Sequence, residues 1–423
     1  MRTSSPARAR RLAPALVAAL GAVMSTVALS ACGPSHSSPA GPSAAASSAP
    51  SSPAASSQTA GSAAAGAGTA TPSAPATSAM TAAAARPGLA GFAATSVTFV
   101  SPEQAFVLGT TACAHAPCTA IAATPDRGGK WAELPAPAVP LGDPLANSGR
   151  AAVWGIRFAN PELGFVFGNG LWVTTDGGRQ WTATASPGGS IVDLEVIDGQ
   201  VLALSYPCSV QSDCGQTGTL YRRALPGGPW SVVTRVTGAG VIATQARVAA
   251  VLDLGDVVVT GDGGLTFAVR ATPCAGSGSA GSAVAVTGPS SLDLLCAGGA
   301  AMGSVQKTVY VSDDLGVTWA KAGSPPLGGD PWGISAGTPS QLTVAAVSGA
   351  TWLYYSADGG VRWSTAYRAP VDGGVEFNDL GFTTPADGVA VLGPVYNDRN
   401  PEGLPGQLLL TSDGGASWAP VRF

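Results

Sequence analysis

Charge is scarce in this chain. Aspartate, glutamate, lysine and arginine together make up 11% of the 423 residues, against about 25% in an average soluble domain. The formal net charge is −4, and no basic cluster or stripe is present, which argues against a nucleic-acid or anionic-membrane surface. Histidine is scarcer still, with two residues in all. His36 has no partner in its surroundings and His115 stands between two cysteines, so a nucleophile–His–acid triad has no base to build on. No Cys-any-any-Cys spacing occurs, and without a second nearby histidine a zinc site is short of ligands. No metal and no cofactor are expected.

What is present begins with a targeting segment. Arg2, Arg8, Arg10 and Arg11 precede an apolar stretch from Leu12 to about Ala28, and Leu29-Ser30-Ala31-Cys32 then supplies small residues at a cleavage position. That ending resembles the lipobox of bacterial lipoproteins, and the resemblance implies that Cys32 becomes the lipidated first residue of the mature chain. An uncleaved anchor is the alternative, since about 20 apolar residues can span a bilayer. Either one places the rest of the chain outside the cytoplasm. From Gly33 to Ala85 no residue is charged, and Ser, Ala, Pro, Gly and Thr supply nearly everything. Such a segment cannot bury a core and reads as a flexible tether whose composition permits O-glycosylation. The expected organisation is a signal peptide over 1–31, a tether over 32–85 and a folded domain over 86–423.

The folded part is organised by an eight-residue box: SADGGVRW (356–363), TPDRGGKW (124–131), TTDGGRQW (174–181), TGDGGLTF (260–267), SDDLGVTW (312–319) and TSDGGASW (411–418). Its Asp-any-Gly core is turn chemistry, in which the carboxylate accepts from following backbone amides and glycine supplies positive φ. The Ser or Thr two positions earlier adds a second side-chain bond. Asp126, Asp176, Asp262, Asp314, Asp358 and Asp413 are therefore expected to be structural. The closing Trp or Phe carries the largest apolar area of each unit and is suited to packing between neighbouring sheets.

The closing aromatics fall at 131, 181, 267, 319, 363 and 418, and the interval from 181 to 267 is nearly double the others. Within it, residues 220–230 align as a worn box in which Leu225 replaces the Asp while Gly227 and Trp230 remain. That makes seven units. Upstream of the boxes, FVSPEQAFVLG (99–109), FANPELGFVFG (158–168) and FTTPADGVAVLG (382–393) each read as strand, Pro turn, strand. With the strands on either side of the box, each unit becomes a four-stranded antiparallel sheet. Seven such sheets repeated radially make a seven-bladed β-propeller, all-β. The first strand is placed at 95–100, and the means of ring closure is left open.

The boxes resemble the Asp-box, or BNR, repeat of sialidases, sortilin-type receptors and related propellers. The Pro turn, the glycine-ended strand and TTDGGRQW resemble the repeats of photosystem II assembly factor-like propellers. The resemblance covers 95–423 and implies a fold, on which unrelated activities are carried. Sialidases use a Tyr nucleophile with a Glu, an Asp and three Arg, and an Arg-Ile-Pro motif ahead of the first box. No Arg occurs in 95–123, so that set is not recognisable here.

Six cysteines remain after Cys32, and in an exported chain an even number reads as disulfides. Local spacing favours Cys113–Cys118, Cys208–Cys214 and Cys274–Cys296. In the four-strand order all three map to the face opposite the boxes, where the long connections at 139–153, 322–332, 366–378 and 394–406 also lie. Binding is expected there. The candidate ligand-binding residues near the channel mouth are Trp154, Arg157, Trp332, Asn378, Tyr396 and Arg399. For glycoside hydrolysis, which needs two opposed carboxyls, the candidates are Asp330, Glu376 and Asp379. The function expected is that of a monomeric lipoprotein on the outer face of a bacterial cell membrane, binding a protein or glycan without catalysis; a glycoside hydrolase is the alternative. Reduction of the disulfides is expected to leave the ring folded, because it has a large core and the three bridges brace loops of one face. Cooperative loss of β-sheet circular dichroism in reductant at moderate temperature would contradict this.

Overall fold

The computed structural model describes residue 89 and residues 91–113, 118–142, 151–207, 217–238, 241–274, 280–370, 375–394 and 406–423. The signal and tether segments lie outside these, as do Cys32, His115, Cys208, Cys214, Tyr396 and Arg399. Among the described residues, 28 strands form seven four-stranded antiparallel sheets, each taking four strands in chain order. The fold is a seven-bladed β-propeller. The inner strands of blades 1 to 7 are Ala93–Phe99, Val153–Phe158, Ser190–Ile197, Ile242–Gln245, Ala280–Val286, Asp330–Thr338 and Val375–Phe382. No sheet borrows a strand from another. The first strand starts two residues earlier than the sequence suggested, because Ala93 and Ala94 pair with Thr110 and Gly109. The connections expected at 322–332 and 366–378 are shorter than the sequence suggested: the outer strand of blade 5 runs to Gly323, that of blade 6 spans Ser364–Pro370, and the inner strands of blades 6 and 7 begin at Asp330 and Val375.

The apolar residues do not form one central core. They divide into seven clusters, one at each junction between adjacent blades. Period-two alternation explains this, since successive strand residues point to opposite faces of a blade and each face meets a different neighbour. In blade 1, Ala105 and Val107 pack toward blade 7 while Phe106 and Leu108 pack toward blade 2. Each junction also receives one box aromatic: Trp131, Trp181, Trp230, Phe267, Trp319, Trp363 or Trp418. The repeat therefore marks each blade's wedge against the blade before it.

The six intact boxes share one hydrogen-bond pattern. In the first, the Thr124 hydroxyl donates to Asp126 Oδ1 at 2.9 Å and accepts from Gly128 N at 2.9 Å, while Lys130 N donates to Asp126 Oδ1 at 2.7 Å. The fourth and fifth box residues are both left-handed, as in Gly177 (φ 74°) and Gly178 (φ 85°). Arg127 (φ 56°) and Leu315 (φ 55°) occupy the fourth position without being glycine, at a cost of about 1–2 kcal/mol each. In the worn box, Arg223 stands where the Ser or Thr would be. It is buried, with its guanidinium 4.7 Å from the Trp230 ring and 5.4 Å from that of Phe165. Backbone bonds from Leu225 N to Gly199 O and from Gly228 N to Ala224 O replace the Asp turn.

Six of the seven inner strands carry a β-bulge near their start, leaving Thr95, Trp154, Val192, Ser282, Trp332 and Asn378 out of register. The bulge explains the glycines that end the second strands: a Cβ on Gly109 would lie 2.1 Å from the Ala93 carbonyl oxygen, and one on Gly168 2.3 Å from that of Ala152. Three bulge side chains reach the next blade. Trp154 Nε1 donates to Ile191 O at 2.9 Å, Asn378 Nδ2 donates to Thr95 O at 3.0 Å, and Trp332 Nε1 donates to Phe377 O.

The ring closes between blades 7 and 1 in three layers. On the channel side, Asn378 holds Thr95 O and Asp379 Oδ2 accepts from Val97 N at 2.8 Å. In the middle, Leu89, Phe92, Val97 and Val107 pack on Val389, Val391 and Leu408, with the Phe423 ring 4.6 Å from Phe92 and 4.8 Å from Trp131. On the box face, Arg127 Nη1 pairs with Asp387 at 3.0 Å.

Hydrogen bonds hold the box aspartates below the usual carboxylate range. For Asp314 the Thr318 hydroxyl, then the Thr318 amide, bring it down to about 2. Since the folded-state value lies below the unfolded one, the turn's contribution is complete above about pH 4 and is lost as pH falls through about 2. Asp314→Asn is expected to lower the melting temperature at pH 7 and leave it unchanged near pH 2, measured by circular dichroism.

Candidate functional site

The inner strands of all seven blades line a cavity of about 360 Å³ at the propeller axis. Its wall is chemically lopsided. Blades 2, 3 and 7 contribute Arg157, Glu195 and Asp379, whereas blades 4 to 6 contribute mostly Val241, Leu252, Ala283, Ile334 and Trp332. The charged side chains come from the inner strands Val153–Phe158, Ser190–Ile197 and Val375–Phe382.

Arg157 is the hub of the charged wall. Its Nε donates to Glu195 at 2.6 Å and its Nη2 to Asp379 at 2.8 Å, while Asp193 lies 4.0 Å away. Nη1 donates to Val97 O at 3.2 Å and to the Ser96 hydroxyl at 3.1 Å. Asp193 in turn accepts from Ile242 N at 2.7 Å. One guanidinium thus ties blades 1, 2, 3 and 7 together, and Asp193 extends the tie to blade 4. Burial pushes the Glu195 carboxyl up to about 7, with Arg157 opposing and Asp193 adding to the rise. Burial raises Asp193 as well, again against Arg157. Arg157 is held well above its usual value: burial alone would lower it, but Asp379, Glu195 and Asp193 outweigh that. Three carboxyls share one cation, and the cluster is short of positive charge.

The structure distributes the sequence candidates as follows. Arg157 and Asp379 meet in the charged wall, and Asp379 also holds the Val97 amide. Trp154 is buried, with its indole N–H on Ile191 O. Asn378 is a ring-closing residue. Trp332 keeps 38% of its surface exposed at the cavity. Asp330 opens the inner strand of blade 6, and Glu376 pairs opposite Gly393 near the start of that of blade 7. Asp193 and Glu195 were not singled out from the sequence. Their signal is two carboxylates at alternate positions of an apolar strand, which puts both on one side of it.

Lys307 is a second buried charge that was overlooked. Its Nζ donates to the carbonyls of Val305, Leu327, Gly328 and Gly329 at 2.7 to 3.1 Å. Burial pushes the ammonium down to about 8, and Asp330 opposes this. The four carbonyls clamp the connection from blade 5 to blade 6 on the loop-rich face. Tyr354 Oη also donates to Gly328 O at 3.0 Å.

That face carries several exposed apolar side chains. Leu254 and Met302 sit at the tips of second-to-third connections in blades 4 and 5. Val241, Leu327 and Trp332 lie in or beside the connections leading into blades 4 and 6. Spread over blades 4 to 6, they make up an exposed apolar arc, of which Val241 and Trp332 also line the cavity. The disulfides Cys113–Cys118 and Cys274–Cys296 form as the spacing suggested and lie on the same face. Cys208 and Cys214 are outside the described residues. Among the described residues, no group of three or more His, Cys, Asp or Glu is placed to hold a metal.

No protein-family model matches the chain, and no curated protein matches it. Solved structures do. YCF48 bound to a D1 peptide is 18% identical with a TM-score of 0.50, covering 77% of this chain and 94% of that one. YCF48 from Cyanidioschyzon merolae is 14% identical with a TM-score of 0.50, covering 78% and 97%. An oligogalacturonate lyase from Vibrio parahaemolyticus is 9% identical with a TM-score of 0.48, covering 76% and 91%. At these identities the likeness is one of fold.

Removing the hub should be costly. Arg157→Leu leaves buried carboxyls without a counter-charge and is expected to cost about 3–5 kcal/mol. Glu195→Gln, which keeps a hydrogen-bond acceptor for Arg157, is expected to cost far less. Urea denaturation of both variants measures the difference.

Proposed function

We propose that the chain is an extracytoplasmic lipoprotein, anchored through Cys32, whose propeller (86–423) stands on the 32–85 tether and binds a partner protein or glycan without catalysis. The loop-rich face is the binding surface. The observation that carries this is the state of the polar groups in the channel. Arg157, Glu195 and Asp379 are engaged with one another and with the ring backbone, while large apolar side chains beside the channel stand exposed. Charged groups held in place by their own neighbours and exposed apolar surface together suit a docking face better than a reaction centre. The two disulfides fit an oxidising compartment. Among the described residues, no helix is long and apolar enough to cross a membrane. A fold neighbour, YCF48, has been solved with a D1 peptide bound, an instance of this fold receiving a polypeptide.

A glycoside hydrolase remains the alternative, and one observation favours it. Glu195 faces the cavity and is pushed up to about 7, so it holds a proton near neutrality as a general acid must. The two functions separate in one experiment. The full chain is screened against chromogenic glycosides and, by cross-linking through residues on the loop-rich face, against the exported protein and glycan fractions of its own cell envelope. The expected result is a specific cross-linked partner and no turnover. Turnover abolished by Glu376→Gln or Glu195→Gln establishes the hydrolase instead. Metabolic labelling with a fatty-acid analogue is expected to mark the chain and to be lost in Cys32→Ala, and an unlabelled wild-type chain would contradict the lipid anchor.

A further inference from the structure

The two halves of the channel mouth ask for different parts of one ligand. On one side Glu195 and Asp379 line the cavity beside Arg157, with Asp193 behind them. A single guanidinium serves three carboxyls, so a second cation brought into the cavity would find uncompensated negative charge at low dielectric, where Coulombic attraction is strong. On the other side blades 4 to 6 contribute Val241, Leu252, Ala283, Ile334 and Trp332, interspersed with the polar residues Thr244, Gln245, Ser282 and Ser335, and Val241 and Trp332 belong both to this wall and to the exposed arc. A small inorganic cation would leave the apolar half bare, and a neutral glycan would offer the charged half nothing. An anionic group would meet Glu195 and Asp379 at close range.

We propose that the channel mouth receives a basic, amphipathic peptide segment: one lysine or arginine side chain enters the cavity against Glu195, and the apolar residues beside it lie on Leu254, Met302, Leu327 and Trp332. This rests on the binding function proposed above and names the chemistry of the partner. The aliphatic stem of a lysine or arginine suits the cavity's apolar wall while its head meets the carboxyls. The clamp that Lys307 applies to Leu327, Gly328 and Gly329 holds part of the arc in place before any partner arrives, which reduces the ordering cost of association. Since burial pushes Glu195 up to about 7, with Arg157, Asp193 and Asp379 as its charged neighbours, a cation is taken up with release of a proton, and affinity rises between about pH 6 and pH 8.

The test uses the full chain and a set of short capped peptides, fluorescently labelled, with leucines flanking a central lysine, arginine, norleucine or glutamate. Fluorescence anisotropy is expected to show the lysine and arginine peptides binding at least about tenfold more tightly than norleucine, and the glutamate peptide more weakly still. Glu195→Gln should reduce the lysine peptide's affinity about tenfold and leave the norleucine peptide unchanged. Met302→Ser with Leu327→Ser should weaken all four. Equal affinity for lysine and norleucine, or no effect of Glu195→Gln, overturns the proposal. So does binding of an amino-sugar oligomer in place of every peptide, which would assign the cavity to a cationic glycan. If no peptide binds but the cross-linked envelope partner still depends on Met302 and Leu327, the binding function stands and this inference falls. If the partner is also lost, both fall.

Discussion

A ring of sheets has one joint that the chain does not make for itself, and everything else in this propeller depends on closing it. Blades 1 to 6 each lead into the next through a covalent connection. Blade 7 meets blade 1 with no strand exchanged, through side chains and a backbone hydrogen bond from Ala94 N to Gly406 O. Asn378 and Asp379 supply hydrogen bonds to the inner strand of blade 1, a cluster around Val97 and Phe423 supplies burial, and Arg127 pairs with Asp387 on the far face. Arg127 occupies a left-handed position where most boxes have glycine. Its backbone strain therefore accompanies a contact that glycine could not make.

The two faces divide the work. On the box face, Ser or Thr, Asp and following backbone amides satisfy one another inside each turn, so little is left over for a ligand. On the loop-rich face the same economy holds near the axis, where Arg157 gathers carboxyls and carbonyls from neighbouring blades. What differs is the surplus of charge: carboxyls outnumber cations in the channel wall, whereas exposed apolar side chains occur on both faces, as Leu265, Val317 and Val361 in the boxes and as Val241, Leu254, Met302, Leu327 and Trp332 opposite them. Both features are tolerable in a rigid ring, which cannot collapse to hide them.

The fold was legible because its signals are local. An Asp turn, a closing aromatic and a glycine-ended strand each lie within about a dozen residues, and seven aromatics predict seven junctions. Even the worn unit could be counted, since Trp230 still wedges between blades 2 and 3. The charged wall was less legible, because it converges from strands more than two hundred residues apart, as Arg157 and Asp379 are. Residue type also misleads at a channel mouth. Trp154, Asn378 and Asp379 looked available for a ligand, yet polar and aromatic groups at those bulges serve to stitch blades together. Asp193, Glu195 and Lys307 were overlooked because a charge inside a strand resembles a solvated edge until the neighbouring blade is in place.

Blade 3 separates the two jobs that the box performs elsewhere at once. Its Asp turn is gone, and the buried Arg223 lies over the Trp230 ring. The blade still pairs its four strands and still seals against blade 2. In this chain the turn is thus dispensable to a blade that keeps its wedge. Other propellers whose repeats have lost the acidic signature should remain countable by the rhythm of their aromatics alone.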